Sequence, residues 1–354
     1  MAVSRLEIEN LRCIEAACLD LSPDRNLIFG ANGAGKTSVL EAAYVLGRGH
    51  SFRVRDNRRL VRDGEPGFVV RCQRDGSGSG RRLGVAYQRG TLDVRIDGQR
   101  GARATQLAQA LPVEVIDPSS HRIIDGGPGE RRRFMDWGLF HVEPGYMTRW
   151  REFRRVLVQR NEALRRDVSD AELLVWDEAF ISAAAELDAI RGAFVQRWGA
   201  TVAAIGARLL GAEVTLVYRN GTGRHDDLEA ALAAGRAQER TRGLTLSGPH
   251  RSDLVVRYGG GAARELASRG QQKLLAATFV LARLVDRIER HGVAGLLLVD
   301  DPVAELDDAA LQRLIAELVS IPVQMIVTSI RAESMQALDA GRTFHVEQGI
   351  IEAL

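Results

Sequence analysis

Lysine is almost missing from this chain of 354 residues: of 48 basic positions only Lys36 and Lys273 are lysines, and the rest are arginines. The arginine excess reads as composition bias, which leaves the two exceptions as the informative positions. Cysteine is scarce too. Cys13, Cys18 and Cys72 are an odd set without a C-x-x-C pair, which argues against a disulfide framework or a zinc site and fits a reducing compartment. The seven histidines include no H-E-x-x-H or similar spacing, so metal-hydrolase chemistry starts weak. No apolar run reaches the length of a membrane span. The N-terminal Met-Ala-Val-Ser-Arg-Leu-Glu has neither the apolar core nor the cleavage site of an export signal, and a cytoplasmic protein with no membrane association is expected. Net charge is also nearly absent, +2 from 48 basic and 46 acidic residues, so any attraction to a polyanion has to be local.

What remains is a globular chain, 45% hydrophobic and 27% charged, long enough to bury a sizeable core. Strands are expected around Leu6–Ile8, at Ala17–Leu21 and at Asn26–Phe29, followed by a helix over 36–46. Segments 68–72, 83–88 and 92–97 read as an antiparallel β lobe with a glycine/serine loop at 76–80, and Val113–Ile116 as a further strand. From about 130 the chain becomes long, helix-permissive and arginine-rich, over 130–166 and 171–210, which reads as an inserted helical lobe. Strands resume at 213–218 and 253–258. A helix over 270–290 carries one apolar stripe, with Arg287, Arg290 and His291 in its last turn and Gly292 as its cap. Leu296–Val299 has the continuous apolar character of a buried parallel strand. A helix over 308–319, a strand over 323–328 and a hairpin turning at Gln348-Gly349 close the chain.

Gly30-Ala31-Asn32-Gly33-Ala34-Gly35-Lys36-Thr37 is a complete G-x-x-x-x-G-K-[ST] P-loop between an apolar run and a helix-forming segment that begins at Ser38. Backbone N–H groups of such a loop converge on phosphate and the helix N-terminus adds a favourable dipole. Lys36 neutralises the outer phosphates, and the Thr37 hydroxyl ligates Mg2+. A compact ammonium suits that place better than a planar guanidinium. The magnesium carboxylate is expected from Asp300, directly after Leu296–Val299 (the Walker B position). Asp301 follows, placed to orient or deprotonate the attacking water. An Asp at 301 in place of a longer Glu predicts slow hydrolysis.

Kinases and GTPases complete their sites close to the P-loop, whereas Asp300 lies far downstream. Just before it, Ser268-Arg269-Gly270-Gln271 resembles the ABC signature, with Arg269 in the first glycine position. Ser268 becomes the N-cap of the following helix, so a hydroxyl, free N–H groups and the helix dipole face one spot. In the ABC architecture Ser268, Gly270 and Gln271 face the P-loop of a second protomer, which places Ser268 and Gly270 among the residues closing on the γ-phosphate. Ala304-Glu305-Leu306-Asp307 matches the D-loop that crosses such an interface. Lys273, on the first turn of that helix, is read as near nucleotide or partner no more readily than as an ordinary solvated lysine.

With these motifs in order, the chain resembles the RecF family of bacterial recombinational-repair proteins, related to the SMC ATPase heads. Leu11-Arg12 matches the N-terminal element of these heads, with Cys13 in place of their usual Asn. Further matching segments are Leu46-Gly47-Arg48-Gly49-His50-Ser51-Phe52-Arg53, Gly126-Gly127-Pro128 with Arg131–Trp137, and Ser247-Gly248-Pro249-His250-Arg251. Ser252 departs from the familiar acid or small residue. No switch histidine follows strand 323–327; Thr328 and Ser329 stand there, and which of them senses the γ-phosphate stays open. The resemblance implies ATP and Mg2+ as cofactors and adds Arg12 and Ser38 to the nucleotide-binding set. It also implies an ATP-dependent homodimer, binding to double-stranded and gapped DNA, and loading of RecA together with RecO and RecR.

Local positive charge is concentrated in two stretches. Residues 48–62 hold Arg48, Arg53, Arg55, Arg58, Arg59 and Arg62 against Asp56 alone, and 149–166 hold seven arginines against Glu152 and Glu162. Such patches suit the phosphate backbone, and with few aromatics nearby, duplex is favoured over single strands. Arg53, Arg55, Arg58, Arg59 and Arg62 are taken as the DNA-binding set; for 149–166 a solvated helix face is at least as good a reading. Arg131–Arg133 read equally well as ordering a loop by pairing acids.

The expected fold is therefore α/β: an ABC/SMC-type P-loop ATPase head assembled from 1–127 and 240–354, with a β sublobe and a helical arm inserted at 128–239. The expected function is an ATP-dependent DNA clamp with weak ATPase activity. The rivals are an ATP-hydrolysing transporter subunit, an autonomous nuclease and a long-armed SMC protein. The distant signature, the missing metal cluster and the short arm speak against them in turn.

Overall fold

Alternating strands near the N-terminus and continuous apolar strands near the C-terminus build two different sheets. The computed structural model describes residues 2–75, 81–304 and 306–354; the loop expected at 76–80, and Glu305 of the D-loop, lie outside the described residues. The chain divides into two compact units, Met1–Ser120 with Arg208–Leu210 and Ala276–Leu354, and His121–Ala207 with Gly211–Leu275.

In the first unit, β1 (Val3–Leu11), β2 (Ile14–Asp20), β4 (Gly67–Arg74), β5 (Arg81–Gln88), β6 (Thr91–Ile96) and β7 (Gln99–Arg100) form an antiparallel sheet in the order β2-β1-β4-β5-β6-β7. Its strands alternate: Phe68, Val70, Cys72 and Arg74 of β4 are buried, while Arg71 and Gln73 are exposed, as one packed and one solvated face require. The second sheet contains β3 (Arg25–Phe29), β8 (Val113–Ile116), β12 (Leu296–Val299), β13 (Gln324–Ser329), β14 (Arg342–Glu347) and β15 (Ile350–Ala353) in the order β15-β14-β3-β13-β12-β8. It is parallel except for the closing hairpin partner β15. All four residues of β12 are buried. Helix α1 (Lys36–Arg48) is buried nearly all round and shares one apolar cluster with residues of both sheets.

Helices α2 (Ala104–Ala110) and α10 (Asp308–Ser320) and most of α9 (Arg269–His291) complete this unit. The apolar stripe of α9 is buried as expected, and Gly292, at φ +63°, donates its N–H to Ile288 O at the helix end. Arg287 lies near the end of the same helix. It is buried, and with Arg283 it pairs with the equally buried Glu114 of β8.

The second unit holds α3 (Arg122–Asp125), α4 (Pro128–Val142), α5 (Tyr146–Arg165), α6 (Asp170–Leu210), α7 (Leu228–Arg242), α8 (Ala263–Leu266) and a three-stranded sheet of β9 (Val214–Arg219), β10 (Asp253–Tyr258) and β11 (Gly261–Ala262). The helical run expected over 130–166 is split at Pro144 and Gly145, the latter at φ +84°. This unit reaches past the expected end at 239 because β10 pairs antiparallel with β9 along its full length. Arg160 of α5 is fully buried, donating to Asp177 and Glu239 at 2.7 Å and to Thr245 Oγ1 at 2.8 Å. No helix among the described residues is long and apolar enough to cross a membrane.

Candidate nucleotide site

The P-loop leaves β3 at the carboxyl edge of the parallel sheet, where open α/β sheets bind ligands. Gly30 sits at φ +156° with Val346 O so close that a Cβ would lie 2.2 Å from it, and Gly35 sits at φ +118°, where a Cβ would lie 2.9 Å from Cys13 Sγ. The turn of the C-terminal hairpin braces the loop, Gly349 donating its N–H to Ala34 O at 2.8 Å. Ala31, Asn32 and Gly33 are exposed, and Ala34, Gly35, Lys36 and Ser38 are buried. Lys36 Nζ donates to Gly30 O at 2.8 Å and Ala31 O at 3.0 Å. The ammonium therefore lies folded along the loop whose amides would face a phosphate.

Thr37 Oγ1 donates to Asp300 Oδ1 at 3.0 Å. Two hard oxygen donors from the P-loop helix and from the end of β12 thus converge, a set that suits Mg2+ completed by phosphate and water. Among the described residues no cluster of three or more His, Cys, Asp or Glu could hold a metal. Burial raises the Asp300 carboxyl above its ordinary range, opposed by hydrogen bonds from Thr328 and Thr37 and by the charge of Arg53. Asp301 follows at φ +44°, its N–H donated to Thr328 Oγ1 at 3.0 Å.

Arg12 occupies the two-residue turn between β1 and β2 at φ +57°. Its Nε and Nη2 donate to Glu41 Oε2 and Oε1 at 3.0 and 2.9 Å. Glu41, on α1, is 1% exposed and also accepts from Ser51 Oγ at 2.5 Å. Sequence reasoning does not single Glu41 out; its signal is only that an acid interrupts the apolar helix after the P-loop. Ser51 in turn accepts the N–H groups of Arg53 and Val54. At the other end of the basic segment, Arg12 N donates to Leu60 O and Arg62 N to Asn10 O.

The arginines of that segment are not equivalent. Arg48 stands with its guanidinium 5.4 Å from the Tyr44 ring centroid, and burial lowers its pKa to about 10. Arg53, Arg55, Arg58 and Arg59 are at least partly exposed; Arg58 pairs with Asp56 and Arg62 with Glu15. In the second unit, the arginines of 149–166 include buried Arg160, while Arg165 and Arg166 pair with Glu162. Arg131 forms a bidentate pair with Asp253, Arg132 donates to Ser252 O, and Arg133 pairs with Glu130.

The signature residues lie in the second unit. Ser268 Oγ accepts Gln271 N–H at 3.4 Å and Gln271 Oε1 accepts Ser268 N–H at 2.8 Å, a capping box that explains the start of α9. Gln271, expected at the nucleotide, is thus engaged with its own helix cap. Ser268 is exposed, and a Cβ on Gly270 would meet nothing within 4 Å. No intrachain packing demands glycine there. Asp307 of the D-loop caps α10 by accepting Ala310 N–H at 2.8 Å.

The family model described as RecF/RecN/SMC N terminal domain matches residues 2–352. Two curated proteins, each named DNA replication and repair protein RecF, are 39% and 38% identical to the chain. The first, from Edwardsiella ictaluri, aligns over 99% of both chains, and the second, from Pectobacterium atrosepticum, over 99% of this chain and 98% of its own. A solved structure of the recombination mediator protein RecF-ATPrS in the RecFOR pathway superposes with a TM-score of 0.84 at 23% identity, covering 99% of this chain and 98% of the other. An Smc head bound to the C-winged helix domain of ScpA gives 0.61 at 17% identity over 100% and 97%. Both structural likenesses concern the fold alone.

Proposed function

The chain belongs to the RecF family of DNA replication and repair proteins, and from that premise we propose that it is an ATP-dependent DNA clamp. The observation that carries the nucleotide half is the hydrogen bond between Thr37 Oγ1 and Asp300. It joins the P-loop helix to the strand end beyond it, at the carboxyl edge where a nucleotide–metal complex needs both. Gly30 to Ser38 would wrap the phosphates, Lys36 turning from the carbonyls of Gly30 and Ala31 toward the outer phosphates, while Arg12 is anchored to Glu41 on the P-loop helix. Thr37 and Asp300 would hold Mg2+, which would supply charge neutralisation at the phosphate oxygens. Asp301 orients the attacking water, and its short side chain keeps turnover slow.

The second half of the site comes from another copy: Ser268 and Gly270 close on the γ-phosphate, and the open space at Gly270 leaves room for that approach. ATP then sets the monomer–dimer population through its differential affinity for the two states. Arg53, Arg55, Arg58, Arg59 and Arg62 supply a sequence-independent grip on duplex or gapped DNA. RecO and RecR are the partners in this reading, supported by the RecFOR pathway named for a structural neighbour, with RecA loading as the outcome in the cytoplasm.

Sedimentation with and without ATP and gapped duplex tests the reading, using wild type, Lys36→Arg and Ser268→Arg. ATP is expected to produce a dimer in wild type only, strengthened by DNA. A wild-type monomer at saturating ATP and DNA would overturn it.

A further inference from the structure

Strand β13 lies between β3, which feeds the P-loop, and β12, which ends at Asp300. Thr328, its penultimate residue, is fully buried and in register with Ile28, while the preceding Val327 is in register with Val299. The hydroxyl at this central place makes two short hydrogen bonds. Its Oγ1 donates to Asp300 Oδ1 at 2.9 Å and accepts the Asp301 N–H at 3.0 Å. The alternative acceptor, Val299 O, is farther at 3.5 Å, so the proton belongs to the carboxylate. Asp300 Oδ1 is consequently held from both sides, by Thr328 and by Thr37 at 3.0 Å. Asp301 needs such a tether because its backbone adopts φ +44°, a conformation that non-glycine residues take only when their surroundings over-determine it. Ser329 is excluded from this role: its hydroxyl donates to Arg331 O at 2.9 Å and accepts Arg331 N–H at 3.3 Å.

We infer that Thr328 is a positioning residue that aims two carboxylates at once, Asp300 at the magnesium and Asp301 at the attacking water. One hydroxyl orients the metal-binding side chain and fixes the backbone of its neighbour, so the spacing between the two acids follows from a single strand residue. The inference rests on the nucleotide-site reading above.

The test uses the full chain with Thr328→Val, which keeps the shape and loses the hydroxyl, and Thr328→Ser, which keeps the hydroxyl. Binding of a fluorescent ATP analogue is titrated with Mg2+ and repeated in EDTA, and kcat and KM for phosphate release are measured with DNA present. For Thr328→Val the Mg2+ midpoint rises about 10-fold and kcat falls about 10- to 100-fold, the usual range for losing a partner behind a metal ligand. Its metal-free nucleotide affinity and its KM stay near wild type. Thr328→Ser restores most of both losses. A Thr328→Val protein with the wild-type Mg2+ midpoint and kcat overturns the inference, and so does a Thr328→Ser protein as impaired as Thr328→Val. Wild type that binds no nucleotide even with Mg2+ fails the site reading itself, a result separable from either of these.

Discussion

Arg12 and Glu41 form a two-bonded ion pair between the β1–β2 turn and the P-loop helix, at 3.0 and 2.9 Å, with the carboxylate 1% exposed. Because Ser51 bonds the same carboxylate, one acid ties together the turn, the helix and the start of the basic segment. Removing the acid would strand a guanidinium and a hydroxyl at once. Glu41→Ala is expected to cost about 3–5 kcal/mol of stability. Glu41→Gln, which keeps an acceptor, should cost about 1–3 kcal/mol. Urea unfolding reads both, and two variants with wild-type midpoints would show the pair to be incidental.

The basic segment makes a prediction that separates its arginines. Arg55 and Arg59 are exposed, whereas Arg48 is packed over Tyr44. Charge reversal at Arg55 or Arg59 should weaken duplex binding and lower the log–log salt slope by about 1 for each DNA phosphate no longer neutralised. Anisotropy titrations between low and moderate salt measure this. An unchanged slope in the double reversal would return the segment to solvated surface.

The P-loop, the strand before Asp300 and the capped start of α9 are legible in the sequence because each is local: a glycine pattern, an apolar run, a Ser with a Gln three residues on. The network behind them is not. Glu41, Glu114 and Arg160 are ordinary charged letters in helix or strand segments, and only pairing across tens to hundreds of residues makes them buried. Arg287 shows the same limit from the other side. At a helix end a cation reads as dipole-favoured, yet Glu114 on a distant strand pairs with it in the interior. The split at Pro144 is foreshadowed by the proline itself, while α7, capped by Asp227, lies in a stretch where the sequence pattern assigns no element.

Arg160 tests the second arginine-rich stretch. Its guanidinium is wholly buried between Asp177 and Glu239, so it belongs to the packing of its own unit and not to a DNA surface. Arg160→Met leaves the buried Glu239 carboxylate without its cation, while Asp177 keeps Arg236, and should cost about 3–5 kcal/mol. Thermal unfolding should show the loss. DNA affinity of the folded fraction should match wild type, and a selective loss of DNA binding with unchanged stability would contradict this placement.

His250 gives a pH dependence with a definite sign. Burial drives its pKa down to about 4, helped by the charges of Arg251, Arg132 and Arg160 and opposed by a hydrogen bond to Thr245 O. Unfolded, it titrates near 6.5. Between those values the unfolded chain takes up a proton that the folded chain refuses, so stability is lost as pH falls from about 6.5 to about 4, by roughly 3 kcal/mol at most. His250→Gln should lack this component. The stability difference between wild type and His250→Gln, from urea midpoints at pH 7.5 and 4.5, should therefore shift in favour of the variant at low pH, and a constant difference would sink the argument.

Cys13 offers a footprint of the nucleotide. It is exposed, yet an ideal Cβ on Gly35 would fall 2.9 Å from its sulfur, and Ser38 Oγ is 3.8 Å away. A maleimide attached there would crowd the base of the P-loop. Cys18 is exposed on β2 with its thiol shifted upward by desolvation, and Cys72 is buried with its thiol pushed up to about 12. The upward shift should slow labelling of Cys18, and Cys72 should label only on unfolding. Nucleotide with Mg2+ should slow labelling of Cys13 severalfold and leave Cys18 unchanged, while Cys13→Ser removes the protected adduct. Peptide mapping by mass spectrometry resolves the three sites. Equal protection of Cys13 and Cys18 would point to a global tightening, and no protection of Cys13 under conditions where nucleotide is bound would place the phosphates away from Gly35.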